Sequence, residues 1–141
     1  MAALTKAAKD TPFHLLHSAD SFDRGRLTVN CMELSGAGTD ATEIAAAAAV
    51  YQHVILGGYV ETDGGAAEDL VFLSAAGAIA TVSLAAAAGV YSLHAYRGSM
   101  TDSGEALNAN KSGAVAVVFA RVFYVSVPAA ETINFIGTAI E

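Results

Sequence analysis

The chain is 141 residues long, 54 % apolar and only 15 % charged, with a formal net charge of −7, and alanine makes up about a fifth of it. That length suits one domain able to bury a core without disulfides or a metal, and the composition lies far from the charge-rich profile of a disordered chain. The first 26 residues hold four basic and three acidic side chains, while the remainder holds three basic against eleven acidic. The body therefore lacks the clustered Lys and Arg of a phosphate-binding groove, and no nucleic-acid partner is expected.

Cys31 is the only cysteine, which excludes an internal disulfide and reads as a small buried hydrophobe. No basic region followed by an unbroken apolar core marks a leader. No apolar run reaches the ~18 residues of a membrane helix, so no membrane partner is expected. So few charges would leave a lone monomer with a bland surface, which favours subunit contacts.

Residues 1–20 read as an N-terminal arm, with Pro12 disfavouring helix at Thr11. A short apolar run from Phe13, a polar turn over residues 18–25 and an alternating strand over residues 26–34 predict a first hairpin. Residues 21–141 are then expected to form a single β-sandwich domain. Asp40 with Glu43 imitates a capping box ahead of the alanines at 45–49, yet that run carries no amphipathic stripe. The next strand is Tyr51-Gln52-His53-Val54-Ile55-Leu56-Gly57-Gly58-Tyr59-Val60-Glu61-Thr62, ending in the turn Asp63-Gly64-Gly65.

Three further short strands are predicted over residues 69–74, 78–84 and 90–97, a spacing that suits a sandwich or barrel. The alternating segment at 104–110 then turns at Ser112-Gly113 into a long run rich in β-branched and aromatic residues at 115–127, written as two antiparallel neighbours in one sheet. On that run Val115, Val117, Phe119, Arg121, Phe123 and Val125 share one face. Arg121 requires either exposure or an acidic partner there. A last strand is expected over residues 132–140. The fold class is all-β, an antiparallel, jelly-roll-like sandwich with an N-terminal arm and hairpin.

From Thr42 to Val127 the order of features resembles a group of small tailed-phage virion structural proteins. The resemblance rests on His53-Val54-Ile55-Leu56-Gly57-Gly58-Tyr59-Val60, on Leu70-Val71-Phe72-Leu73-Ser74-Ala75-Ala76-Gly77, on Gly104-Glu105-Ala106-Leu107-Asn108-Ala109-Asn110 and on the closing Phe123-Tyr124-Val125. In place of that group's Gly-Lys-Lys-like turn, Val50-Tyr51-Gln52 stands here. The resemblance implies an extended conformation for residues 43–49 and a capsid decoration (cement) subunit or a head- or tail-fibre module. The major capsid protein is the implied partner, a homotrimer the implied assembly and the virion surface the implied location.

The four histidines do not suggest an active site. His14 and His17 fall on opposite faces of a short strand, and His53 and His94 alternate with apolar residues. Asp63, Glu68 and Asp69 flank a Gly-rich turn but lack the density of a calcium loop, and no serine sits in a nucleophile elbow. A non-enzymatic protein without cofactor or metal is expected. For the decoration reading, the slightly basic arm supplies the candidate capsid-binding residues Lys6, Lys9, Phe13, Leu15 and Leu16. The alternative is a carbohydrate- or receptor-binding fibre module, which needs an exposed platform from among Tyr51, Tyr59, Tyr91, Tyr96 and Tyr124. A self-assembling protein unrelated to phages is a third reading.

Overall fold

Period-two alternation becomes two sheet faces in the computed structural model, which describes residues 3–9, 14–16, 26–75 and 77–129. Eleven strands are described: β1 (Thr5–Lys9), β2 (His14–Leu16), β3 (Arg26–Thr28), β4 (Asn30–Gly36), β5 (Thr42–Ala45), β6 (Tyr51–Thr62), β7 (Glu68–Ser74), β8 (Gly77–Leu84), β9 (Gly89–Ser92), β10 (Leu107–Lys111) and β11 (Val118–Pro128). One turn of 3-10 helix, His94–Tyr96, follows β9. On β8 the pattern is direct: Ala80, Val82 and Leu84 are buried, while Thr81 and Ser83 between them are exposed.

The strands form two antiparallel sheets, ordered β1-β4-β11-β6-β9 and β5-β10-β7-β8, plus the hairpin β2-β3. The protein is all-β, and its main core lies between the sheets. Leu34, Val60, Val118, Ala120 and Val122 of the first sheet meet Ile44, Leu70, Phe72, Val82 and Leu107 of the second. Burying each such aliphatic side chain is worth about 1.5–3 kcal/mol. A smaller cluster, Val29, Val54, Val125 and Val127 with Leu56, Met100 and Phe123 against it, occupies the opposite face of the first sheet at one end. Beside it, Leu56 has no partner on β11, because Phe123 pairs with Gly57 and Tyr124 with Ile55. Gly58 follows with φ of +123°, and a Cβ there would sit 1.9 Å from the Arg121 carbonyl oxygen. Only glycine lets the two strands approach so closely.

Several expectations change. The Ser112-Gly113 turn does not join neighbours in one sheet: β10 pairs with β5 and β7, while β11 pairs with β4 and β6. Alternation marks both as strands but carries no information on partners, and residues 112–117 cross from one sheet to the other. The alanine run is extended only through Ala45. Ala46, Ala47 and Ala49 are exposed and give a strand nothing to bury, and the chain turns at Ala49-Val50. The strand predicted over 90–97 stops at Ser92, where the Leu93 N–H donates to the Gly58 carbonyl and the chain winds into the 3-10 turn.

The arm is corrected where it is described. Thr5–Lys9 is the edge strand beside β4, with Thr5 opposite Ser35 and Lys9 opposite Cys31. It is part of the fold because Leu4 is buried in the main core and because residues 3–6 lace the two sheets together. Ala3 bridges to Asp40, the Thr42 hydroxyl donates to the Leu4 carbonyl, and Lys6 Nζ donates to the Glu43 carbonyl at 3.1 Å. The expected first hairpin forms, with Leu15 opposite Leu27. The strand predicted over 132–140 lies outside the described residues.

Candidate functional site

The face of the five-stranded sheet turned away from the main core carries the side chains best placed to meet a partner. One row across it runs Glu33, Arg121, Tyr59, and the next runs Ser35, Phe119, Glu61, Val90, each residue directly opposite its neighbour. Arg121 finds the acidic partner its position demands. Its Nη2 donates to Glu33 Oε2 at 2.6 Å and its guanidinium carbon lies 5.9 Å from the centre of the Tyr59 ring. The hydrogen bond to Glu33 raises the Arg121 pKa further above its ordinary value. Tyr59 in turn sits 6.3 Å, ring centre to ring centre, from Phe119.

Toward the start of β11 this face dips into a shallow, open depression lined by Ser35, Glu61, Asp63, Val117 and Phe119. The Asp63 carboxylate fixes its rim by accepting the Val117 N–H at 2.8 Å, and the Asp63 N–H donates to the Val117 carbonyl. Val117 is 46 % exposed beside the acidic Glu61 and Asp63, and Val115, 62 % exposed, precedes it in the segment that crosses between the sheets. Such a surface offers flat apolar contact with a rim of negative charge, which suits a protein surface better than a small molecule needing enclosure.

The buried polar groups are engaged in holding strands. His53 is buried: its Nδ1 lies 2.7 Å from the Ser126 hydroxyl and its Nε2 lies 2.8 Å from the Ala46 carbonyl. A carbonyl can only accept, so Nε2 carries a proton, and in the neutral ring Nδ1 then accepts from the Ser126 hydroxyl. Tyr124 packs edge-on against that imidazole at 6.2 Å, and burial pushes its phenol pKa up, with a smaller contribution from Cys31.

Glu68 and Lys111 form a second buried unit. Lys111 Nζ lies 2.8 Å from Glu68 Oε1 and also donates to the Ala116 carbonyl, while Glu68 Oε2 accepts the N–H groups of Val115 and Ala116. Burial raises the Glu68 pKa, but the Lys111 ammonium and the two main-chain donors outweigh it and hold the carboxyl below its ordinary value. This unit fixes the crossing segment between the sheets. Gly113 packs directly on it, where a Cβ would come within 2.9 Å of the Glu68 carboxyl carbon.

The arm residues singled out from sequence do not assemble into one surface. Lys6 is exposed, but its ammonium is engaged with β5. Lys9 stands in β1, Leu15 and Leu16 stand in β2, and Phe13 lies outside the described residues. Of the tyrosines, Tyr91 accepts the Ala85 N–H, Tyr96 donates to the Thr81 carbonyl and Tyr124 packs on His53, while Tyr59 lies half-buried on the outer face and Tyr51 is exposed at the start of β6. Asp63 and Glu68, read as flanking a Gly-rich turn, serve separate segments, and among the described residues no three His, Cys, Asp or Glu converge on a metal site. The Glu68–Lys111 unit was missed, although its signal is present: Lys111 falls in phase with buried Leu107 and Ala109, where a charge requires a partner. No family model, curated protein or solved structure matches the chain.

Proposed function

We propose that the protein is a non-enzymatic structural subunit of a virion, a decoration subunit that lies on the capsid and binds the major capsid protein. The observation that carries this reading is the outer sheet face, where exposed Val117 adjoins Phe119 and the acidic rim of Glu61 and Asp63. A flat, mixed surface on a sandwich whose interior polar groups are tied up in strand-holding contacts is suited to lying against another protein. A shell repeats the same contact many times, so modest affinity at each site adds up along the lattice. The resemblance of the segment Thr42 to Val127 to small tailed-phage structural proteins supports the same reading. Because Lys6 is engaged within the fold, the contact is assigned to this face and not to the N-terminal segment.

Copy number in purified virions from the source tests the proposal. Quantitative mass spectrometry against the major capsid protein should give a ratio fixed by the shell lattice, and a Val117→Asp variant should no longer add to shells lacking the protein. A few copies per virion would favour a fibre module, and absence from virions would overturn both.

A further inference from the structure

Two acids on the outer sheet face go unanswered within the chain. Glu33 on that face is paired with Arg121 at 2.6 Å, and the buried Glu68 is paired with Lys111 at 2.8 Å. Glu61 and Asp63 are exposed in the shallow depression, and among the described residues no Lys, Arg or His pairs with either. Arg121, on the adjoining row, is committed to Glu33. Glu61 and Asp63 stand two positions apart along extended chain, which sets them on one face roughly 7 Å apart, where like charges repel. One Asp63 oxygen accepts the Val117 N–H at 2.8 Å, which holds that carboxylate at the rim and leaves its other oxygen open. The chain as a whole carries a net charge of −7, so the surroundings do not balance the local excess either.

Apolar surface alternates with the two acids. Glu61 stands between Phe119 and Val90 in one row of cross-strand pairs, and Val90 is 67 % exposed. Val117, 46 % exposed, stands beside Asp63. A free metal ion gains nothing from such apolar flanks, and two carboxylates supply few of the oxygens that one requires. A lysine or arginine uses both features, because its methylene stem covers apolar surface while its charged head keeps to polar neighbours. We infer that the depression receives a basic side chain of the partner protein, with its stem across Phe119 and Val117 and its head between the Glu61 and Asp63 carboxylates. The identity of that partner as the major capsid protein rests on the decoration reading; the chemistry of the contact does not. The two acids thus select among partner surfaces, since a basic patch is drawn to them and an acidic one is repelled.

Two measurements on the full chain test it. In the first, amide chemical shifts are followed by NMR while the capped tripeptide acetyl-Leu-Arg-Leu-amide is added, with acetyl-Leu-Gln-Leu-amide as the uncharged counterpart. The arginine peptide should shift the amides of Glu61, Asp63, Val117 and Phe119 selectively, and the glutamine peptide should shift them several-fold less. Glu61→Gln with Asp63→Asn, which keeps an oxygen for the Val117 N–H, should abolish the selectivity. Glu43→Gln with Asp69→Asn removes the same charge from the four-stranded sheet and should preserve it. Shifts that are absent, that are scattered over the surface, that are equal for the two peptides or that survive the Glu61/Asp63 variant would overturn the inference. In the second, the same proteins are added to shells lacking this protein. The Glu61/Asp63 variant should bind about three- to tenfold more weakly than wild type at low salt, and added salt should weaken the wild type toward it. Arginine-selective shifts without binding to shells would uphold the basic-side-chain site and remove the capsid reading. Equal binding of wild type and Glu61/Asp63 variant to shells would uphold the capsid reading and overturn the inference.

Discussion

Replacing Lys111 by Met leaves its volume nearly unchanged but strands the Glu68 carboxylate. Lys111 is 2 % exposed and Glu68 7 %, so water does not replace the lost ammonium, and the carboxylate keeps only the Val115 and Ala116 N–H donors. Breaking one partner of a buried pair costs about 3–5 kcal/mol, a large fraction of the ~5–15 kcal/mol that holds a domain of this kind together. At about 3 °C per kcal/mol for a chain of this size, the melting temperature should fall by roughly 9–15 °C. Adding Glu68→Gln removes the stranded charge while keeping an oxygen for the two N–H donors, so the double variant should regain more than half of that loss. Urea and thermal unfolding of the wild type, both single variants and the double variant give the full cycle. A Lys111→Met variant that loses less than about 1 kcal/mol would refute the assignment of this pair as the fixture of the crossing segment.

The same carboxyl sets an acid limit. Its folded-state pKa lies below the unfolded one, so between the two values the unfolded chain binds more protons; stability is complete above the ordinary glutamate value of about 4.3 and drains as pH falls toward the folded-state value. Glu68→Gln should flatten that part of the stability–pH curve measured by urea titration. Leu4→Ala should destabilise by about 2–4 kcal/mol, since this N-terminal side chain is buried in the main core; unfolding indistinguishable from wild type would return the segment to the status of a free arm. Gly58→Ala should abolish soluble folded protein, because its Cβ would overlap the Arg121 carbonyl at an already unfavourable φ; a normally melting variant would show that β6 and β11 are further apart than described.

Strand identity was legible where burial alternates, as on β8, and from composition on β6, which matches its sequence reading at both ends. Partnership was not legible. The run from Leu107 through Val127 looks like a hairpin because a Ser-Gly turn can close one, and only the buried Glu68 on a distant strand shows that the chain instead changes sheets there. The start of the arm was misread because Leu4 stands alone among the alanines and lysines of residues 2–9, and no local pattern shows that it reaches the core. Of the candidate site, Arg121 was legible as a charge on an apolar strand needing an acid. Its partner Glu33 lies 88 positions away and on a strand joined only through the sheet. The exposed Val115 and Val117 were read as the start of the long strand over residues 115–127, since composition cannot separate a buried valine from an exposed one.

β11 is the last described strand along the chain and the middle strand of its sheet, inserted between β4 and β6. A ribosome that has added Glu33 must add 88 more residues to reach Arg121 before the two can meet, which takes roughly 4–18 s at about 5–20 residues per second. Throughout that interval β4 and β6 each lack the neighbour they will share, so a nascent or truncated chain displays two bare strand edges with apolar side chains beside them. Folding of this sheet is thus a property of the nearly completed chain, slowed by long loop closures. Premature termination anywhere before β11 should yield aggregating fragments and no smaller folded domain.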